Sequence, residues 1–358
     1  MTAEEILKLA YEKKASDIHL LVGSPPIIRV EGVIVALPKE APLVPKRAEE
    51  LVFSILSPEQ KETLMVNKEI DFSVNFQDLA RFRVNAYYER GHVSASLRLI
   101  PGEIPTIEKL NLPSVCHEFA RLRQGFVLVT GPTGHGKSTT LAAVINEINE
   151  TRQEHIITIE DPIEYVHQHK RSILSQRELK ADTHSWEIAL RSVLREDPNV
   201  VMVGEMRDYE TIAAALTIAE TGHLVFATLH TNSASQTVDR IVDVFPPHQQ
   251  QQVKTQLSFT LEAILSQRLI PSLDKRRTVA SEILIANSAV RNAIREGKGH
   301  LIDNIIQTSG EIGMMTLEMD LARLVKEGKV SLDYAAAYAL RPDDLIRQVG
   351  RGKDQKKR

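Results

Sequence analysis

The chain has 358 residues, 42% of them hydrophobic and 25% charged, with a formal net charge of −3. That length suits two or three domains with real cores, and the near-neutral balance argues against general nucleic-acid binding while leaving room for local basic faces. A single cysteine, Cys116, excludes an internal disulfide framework and a cysteine-rich zinc site.

The opening "MTAEEILKLAYEKK" is a charged amphipathic pattern without the apolar centre of a secretion signal. No apolar run approaches the roughly 20 residues of a membrane span. The expectation is a cytoplasmic protein that touches membrane only through partners. Residues 1–100 predict a small α+β module: a helix, the β-rich runs "DIHLLV" and "PIIRVEGVIVAL", helical patterns over about 46–67, then "IDFSVNF" and a hairpin turning at Arg90-Gly91. That turn pairs Glu89 with His92 and sets Arg83 opposite Arg98. Two cations facing each other destabilise a sheet unless an anion lies between them, so the pair is expected to clamp phosphate. The proline-rich stretch 101–113 reads as a linker.

From 114 to 270 short β-rich runs, "FVLVT", "HIITI", "NVVMVG" and "HLVFATL", alternate with helices, as in a parallel sheet covered on both faces. Over about 247–270, Val253, Leu257, Leu261, Leu265 and Leu269 recur every four residues, predicting one long helix. Residues 271–358 read as mainly helical apart from "TVASEILIA", ending in the basic tail "GRGKDQKKR", expected to be irregular and solvated.

The chemistry gathers after the β-rich runs. "GPTGHGKST" fits a phosphate loop made of Gly131, Pro132, Thr133, Gly134, His135, Gly136, Lys137, Ser138 and Thr139. Its glycines let backbone N–H groups approach ATP, Lys137 reaches the phosphates, and Ser138 is placed to hold Mg²⁺. His135 occupies a variable position and gains no separate role. "TIEDPIEY" sets three acids at a strand's carboxyl end, candidates for metal or water. "NVVMVGEMRD" delivers Glu205, a candidate for activating water, and "TLHT" delivers His230, which suits the γ-phosphate region. His155, His167, His169 and His184 lack metal spacing and read as structural or surface residues. Arg191 and Arg195 stand at i, i+4 on a predicted helix; pairing with Glu187 and an arginine-finger role remain equal alternatives.

Together, "GPTGHGKST", "TIEDPIEY", "LREDPNVVMVGEMRD" and "AETGHLVFATLHT", with "ASDIHL" and "RFRVNAYYERG", resemble the secretion ATPases of type II secretion and type IV pilus systems. The resemblance implies homohexameric rings of an N-terminal PAS-like α+β domain and a C-terminal RecA-like α/β domain, with nucleotide bound between them. It also implies that Glu164 and Glu205 serve Mg²⁺ and water activation, that His230 contacts the γ-phosphate region, and that Arg83, Arg98, Arg191 and Arg195 reach nucleotide, some from a neighbouring subunit or domain. Extension and secretion members usually carry a four-cysteine zinc motif, which one cysteine cannot form. "AVRNAIREGK" is similar to the "AIRNLIRE" signature of pilus retraction ATPases, although Arg291 and Arg295 at i, i+4 also suit a solvated helix face. The implied activity is ATP hydrolysis driving pilus retraction against an inner-membrane platform protein, possible also for an accessory paralogue working beside a main motor. A related extension or secretion ATPase and a non-hydrolytic adaptor are the alternatives.

Overall fold

A computed structural model describes residues 1–355 apart from Lys39, Asp78, Pro101 and Lys275, with side chains described as far as Gly350. By its internal contacts the chain divides into two compact units, Met1–Glu103 with Glu164–Val166, and Ile104–Ile163 with His167–Arg358.

The first unit contains α1 (Ala3–Glu12), β1 (Asp17–Leu20), β2 (Ile27–Val30), β3 (Val33–Ala36), α2 (Pro45–Phe53), α3 (Pro58–Asn67), β4 (Glu69–Phe76), β5 (Ala80–Glu89) and β6 (His92–Ile100). Thr2 and Ser57 start α1 and α3 by accepting the N–H of Glu5 and Gln60, whose side chains reciprocate. The antiparallel sheet runs β3-β2-β1-β6-β5-β4. On β5, Phe82, Val84 and Ala86 point into a core shared with Ile6, Leu51 and Leu64 of the helices, while Arg83 faces solvent. Arg90 and Gly91 both take positive φ, 51° and 83°, the geometry of a two-residue hairpin turn. The predicted register follows: Glu89 pairs with His92 and Arg83 with Arg98.

The second unit takes in most of the stretch expected to be a linker. Residues 102–113 form no helix or strand, yet Ile107 and Leu112 are buried in this unit's core, so the stretch is packed down; Pro101 lies outside the described residues. There follow α4 (Val115–Arg121), β7 (Gly125–Thr130), α5 (Lys137–Thr151), β8 (His155–Glu160), β9 (Ile173–Glu178), α6 (Trp186–Val193), β10 (Val200–Val203), α7 (Tyr209–Glu220), β11 (Leu224–Leu229), α8 (Ala234–Asp243), α9 (Pro247–Thr260), β12 (Leu261–Pro271) and β13 (Arg277–Ile285). The strands run β13-β12-β7-β11-β10-β8-β9, parallel except for β13. β7 is buried along its whole length because Phe126 and Leu128 enter one core and Val127 and Val129 the other.

Two expectations fail here. The helix predicted over 247–270 stops at Thr260, and Leu261, Leu265 and Leu269 lie on a strand. The boundary expected at 270 falls inside the sheet, since β12 pairs with β13 from Ala263 to Pro271. The chain ends in α10 (Ser288–Arg295), α11 (Ile302–Thr308), α12 (Leu317–Lys326), α13 (Leu332–Tyr338) and α14 (Pro342–Gln355). α14 carries helix into the segment expected to be irregular; Lys356, Lys357 and Arg358 lie outside the described residues.

His167 is a buried structural histidine whose backbone N–H donates to Gln176 Oε1 at 2.7 Å. Burial, helped by the Lys170 charge, pushes its imidazole from the ordinary 6.5 down to about 4. Between those values the unfolded chain binds more protons than the folded one. Stability present above about pH 6.5 is therefore lost as pH falls towards 4, by about 3 kcal/mol. Melting temperatures followed from neutral to acid pH should show this loss, and His167→Phe should flatten it; an unchanged slope in the variant would refute the assignment.

Candidate active site

The parallel strands β7, β11 and β10 are neighbours, so their carboxyl ends open side by side. Thr130, the last residue of β7, is in register with Leu229, the last of β11. The glycine loop and His230 therefore leave the sheet next to each other, and Glu205 leaves one strand further on. Chain order suggests instead that His230 stands farthest from the loop; spatial order makes it the nearest.

The loop closes on α5. Gly136 caps that helix with φ 83° and no side-chain acceptor, leaving first-turn N–H groups directed at a ligand. Lys137 is buried, and its Nζ donates to Gly131 O at 2.9 Å and Pro132 O at 3.0 Å, within 3.3 Å of His230 Nδ1. Thr133 Oγ1 lies 3.2 Å from the same Nδ1. An ammonium only donates, so Nδ1 accepts and the proton sits on Nε2. Nε2 then donates to Glu205 Oε1 at 3.0 Å. Arg207 grips both oxygens of that carboxylate, at 2.7 and 2.8 Å.

For Glu205, burial acts to raise the pKa, but the Arg207 hydrogen bond and charge, with His230 and Lys137, outweigh it and hold the carboxyl below its ordinary value. Glu205 is thus an oriented carboxylate at neutral pH, able to accept a proton from a water on its open side. Among the described residues, no group of three or more His, Cys, Asp or Glu side chains could hold a metal ion. A lone hydroxyl such as Ser138, half-buried in the first turn of α5, suits Mg²⁺, which keeps waters and takes phosphate oxygens as ligands.

Sequence reasoning misses two residues that build this edge, Arg207 and Gln267, and the bracing role of a third, His135. Arg207 is signalled only by standing two positions after Glu205. Gln267 of β12 accepts from Thr140 Oγ1 at 2.8 Å and donates to His135 O at 2.7 Å. His135, given no separate role, accepts the Leu269 N–H on Nδ1 at 3.0 Å, tying the loop to β12. Burial, followed by the Arg268 and Lys137 charges, lowers the His135 pKa, which favours the neutral ring this bond requires.

The other candidates fall elsewhere. Glu160 is buried, accepting from Thr158 and Gln176, whereas Glu164 is exposed and belongs by its contacts to the first unit. The row that holds Arg83 and Arg98 also holds a protein carboxylate, Asp17, next to Arg98. Arg29, Asp17, Arg98, Arg83 and Ser73 form one row across the first sheet, and Arg98 Nε donates to Asp17 Oδ1 at 2.9 Å. Arg191 pairs with Glu187 at 2.8 Å. Arg195 shares no helix with it: α6 ends at Val193, before Asp197 at φ 53° and Pro198. On α10, Arg291 is no solvated residue, since it donates to the carbonyls of Ala286, Ser258 and Phe259 and pairs with Glu262 at 2.8 Å.

A family model described as type II/IV secretion system protein matches residues 2–308. The type IV pilus retraction ATPase PilT of Pseudomonas aeruginosa is 46% identical over 347 residues, covering 96% of this chain and all of the relative. The type IV pilus ATPase PilU of the same organism is 39% identical, over 99% of this chain and 93% of its own. A crystal structure of the pilus retraction motor PilT with bound ADP superposes with a TM-score of 0.91 at 48% identity, covering 97% of this chain and 99% of that one.

Proposed function

The chain belongs to the type II/IV secretion system protein family, and from that premise we propose that it is an ATP-hydrolysing motor that retracts type IV pili. One observation carries the hydrolytic part: Lys137, His230 and Glu205 are linked in a line across three adjacent strand ends. ATP phosphates draw Lys137 Nζ from the loop carbonyls. Water attacks the γ-phosphorus on the side where Glu205 accepts its proton, the bond from that phosphorus to the β,γ-bridging oxygen breaks and ADP leaves, while His230 Nε2–H keeps the carboxylate turned towards the water. The Ser138 hydroxyl, with Glu164 as a second protein ligand, would hold Mg²⁺, whose charge would offset that of the phosphates. In an assembled homohexamer, Arg83, Arg98, Arg191 and Arg195 are the cations that close on phosphate from outside the loop.

Likeness to a named retraction motor supports the direction of work, and identity of 46% to PilT against 39% to PilU favours the main motor over its accessory paralogue. Among the described residues no helix is long and apolar enough to cross a membrane. The ring works at the cytoplasmic face of the inner membrane through a platform protein. A deletion strain should be hyperpiliated and unable to twitch. Cells without pili would overturn retraction in favour of extension.

A further inference from the structure

Glu282, on β13, is 1% exposed and has no part in the line of side chains just described. Its place in the sheet is informative. Glu282 pairs with Ser266 on β12, Ser266 with Thr130 on β7, and Thr130 with Leu229 on β11. Ser266 and Thr130 also share a hydrogen bond of 2.7 Å between their hydroxyls. This row stops one residue short of both Gly131 and His230.

The Glu282 carboxylate leaves that row to meet the first turn of α8. Its Oε1 accepts the Ala234 N–H at 2.7 Å, in a buried bond. The stretch from His230 to that turn is fastened from within: Asn232 N–H donates to Gln236 Oε1 at 2.7 Å, Gln236 N–H to Ser233 Oγ at 3.2 Å, and the Thr231 and Thr237 hydroxyls meet at 2.6 Å. Glu282 therefore holds from outside the α8 end of a segment whose other end, His230, meets Lys137, Thr133 and Glu205. A carboxylate at the positive end of a helix, shielded from water, holds more firmly than a neutral acceptor would.

We propose that Glu282 is a positioning residue of the ATPase site, anchoring through the Ala234 N–H the segment that presents His230 to Lys137 and Glu205. The inference rests on the reading of His230 as a working part of that site.

The charges around Glu282 give the anchor a pH dependence. Burial raises its pKa most; the Ala234 N–H opposes it, Asp303 on α11 and Glu318 on α12 add to it, and Arg341 before α14 opposes it, leaving about 7. Arg268 on β12 also faces it, while the nearby Asp320 is taken up by Ser281 and Arg323. Glu282 thus gains a proton as pH falls through about 7, and the charged hold on α8 weakens. The side-chain amide of the Glu282→Gln variant would keep an acceptor of the same shape at every pH.

The test measures kcat and KM for ATP against pH in the full-length wild type, Glu282→Gln, Glu282→Ala and His230→Ala. Glu282→Ala should lower kcat by about 10- to 100-fold with KM changed little, as expected for a misplaced catalytic group. Glu282→Gln should keep much of the activity and lose the step near neutrality seen in wild type. If His230→Ala hydrolyses normally, the reading of the site fails and this inference with it. If His230→Ala is impaired but Glu282→Gln retains the wild-type pH profile, only the inference is overturned, and that comparison stands even if Glu282→Ala does not fold.

Discussion

Glu205→Gln should lower kcat by about 10²- to 10⁴-fold, the range for loss of a general base, while ATP is still bound. The amide keeps the size of the side chain and an oxygen that can accept from His230 Nε2–H or Arg207, so the local scaffold survives. What it loses is basicity. The Arg207 and Lys137 charges that hold Glu205 ionised are arranged around an anion, and with a neutral amide they are left in excess beside bound phosphate. That excess should tighten ATP binding, so KM should stay level or fall while kcat drops, the signature of an interaction needed after binding. Lys137→Ala should behave differently. It removes the cation that meets the phosphates and leaves the Gly131 and Pro132 carbonyls without their donor, so nucleotide binding itself should fail. Phosphate release with titration of fluorescent ATP separates the two outcomes, and Glu205→Gln turning over at the wild-type rate would remove Glu205 from the chemistry.

Much of this edge was legible in the sequence because local rules govern it. A glycine loop between a strand and a helix needs no long-range information, and Arg90-Gly91 sets the pairing of Arg83 with Arg98 through turn geometry alone. Spatial order was not legible: nothing local in β11 places it between β7 and β10, so chain order sets His230 farther from Lys137 than its 3.3 Å. The stripe from Val253 to Leu269 misled for a related reason. A spacing of four fits one face of a helix and also a multiple of the strand period of two. In the run "LEAILSQRLI" the intervening Ala263 and Ile264 are buried as well, which is the pattern of a strand covered on both faces. The supports of the loop were invisible for lack of proximity: Gln267 and Leu269 bond to His135 across 132 and 134 positions of chain. The sequence likewise could not show that Asp17 answers Arg98, since that pairing needs the order β1-β6.

The same long-range support makes Gly131 and Gly134 unequal, although both are loop glycines. Gly131 has φ 141°, and a Cβ there would lie 2.3 Å from Gln267 O and 3.3 Å from Gln267 C. Those are backbone atoms of a strand paired on both sides, to β7 and to β13, so they cannot move aside without breaking the ladder. Gly134 has φ 77° with nothing within 4 Å of a Cβ, so alanine meets only the left-handed backbone cost of about 1–2 kcal/mol. Gly131→Ala must add to a comparable dihedral cost the separation of the loop from β12, for a total of about 3 kcal/mol or more. Without nucleotide, Gly131→Ala should therefore melt well below wild type and Gly134→Ala only slightly below it. Gly131→Ala should also lose ATP binding, because Lys137 takes its place from the Gly131 carbonyl and the strand beneath it. Equal melting temperatures for the two variants would mean that β12 does not brace the loop.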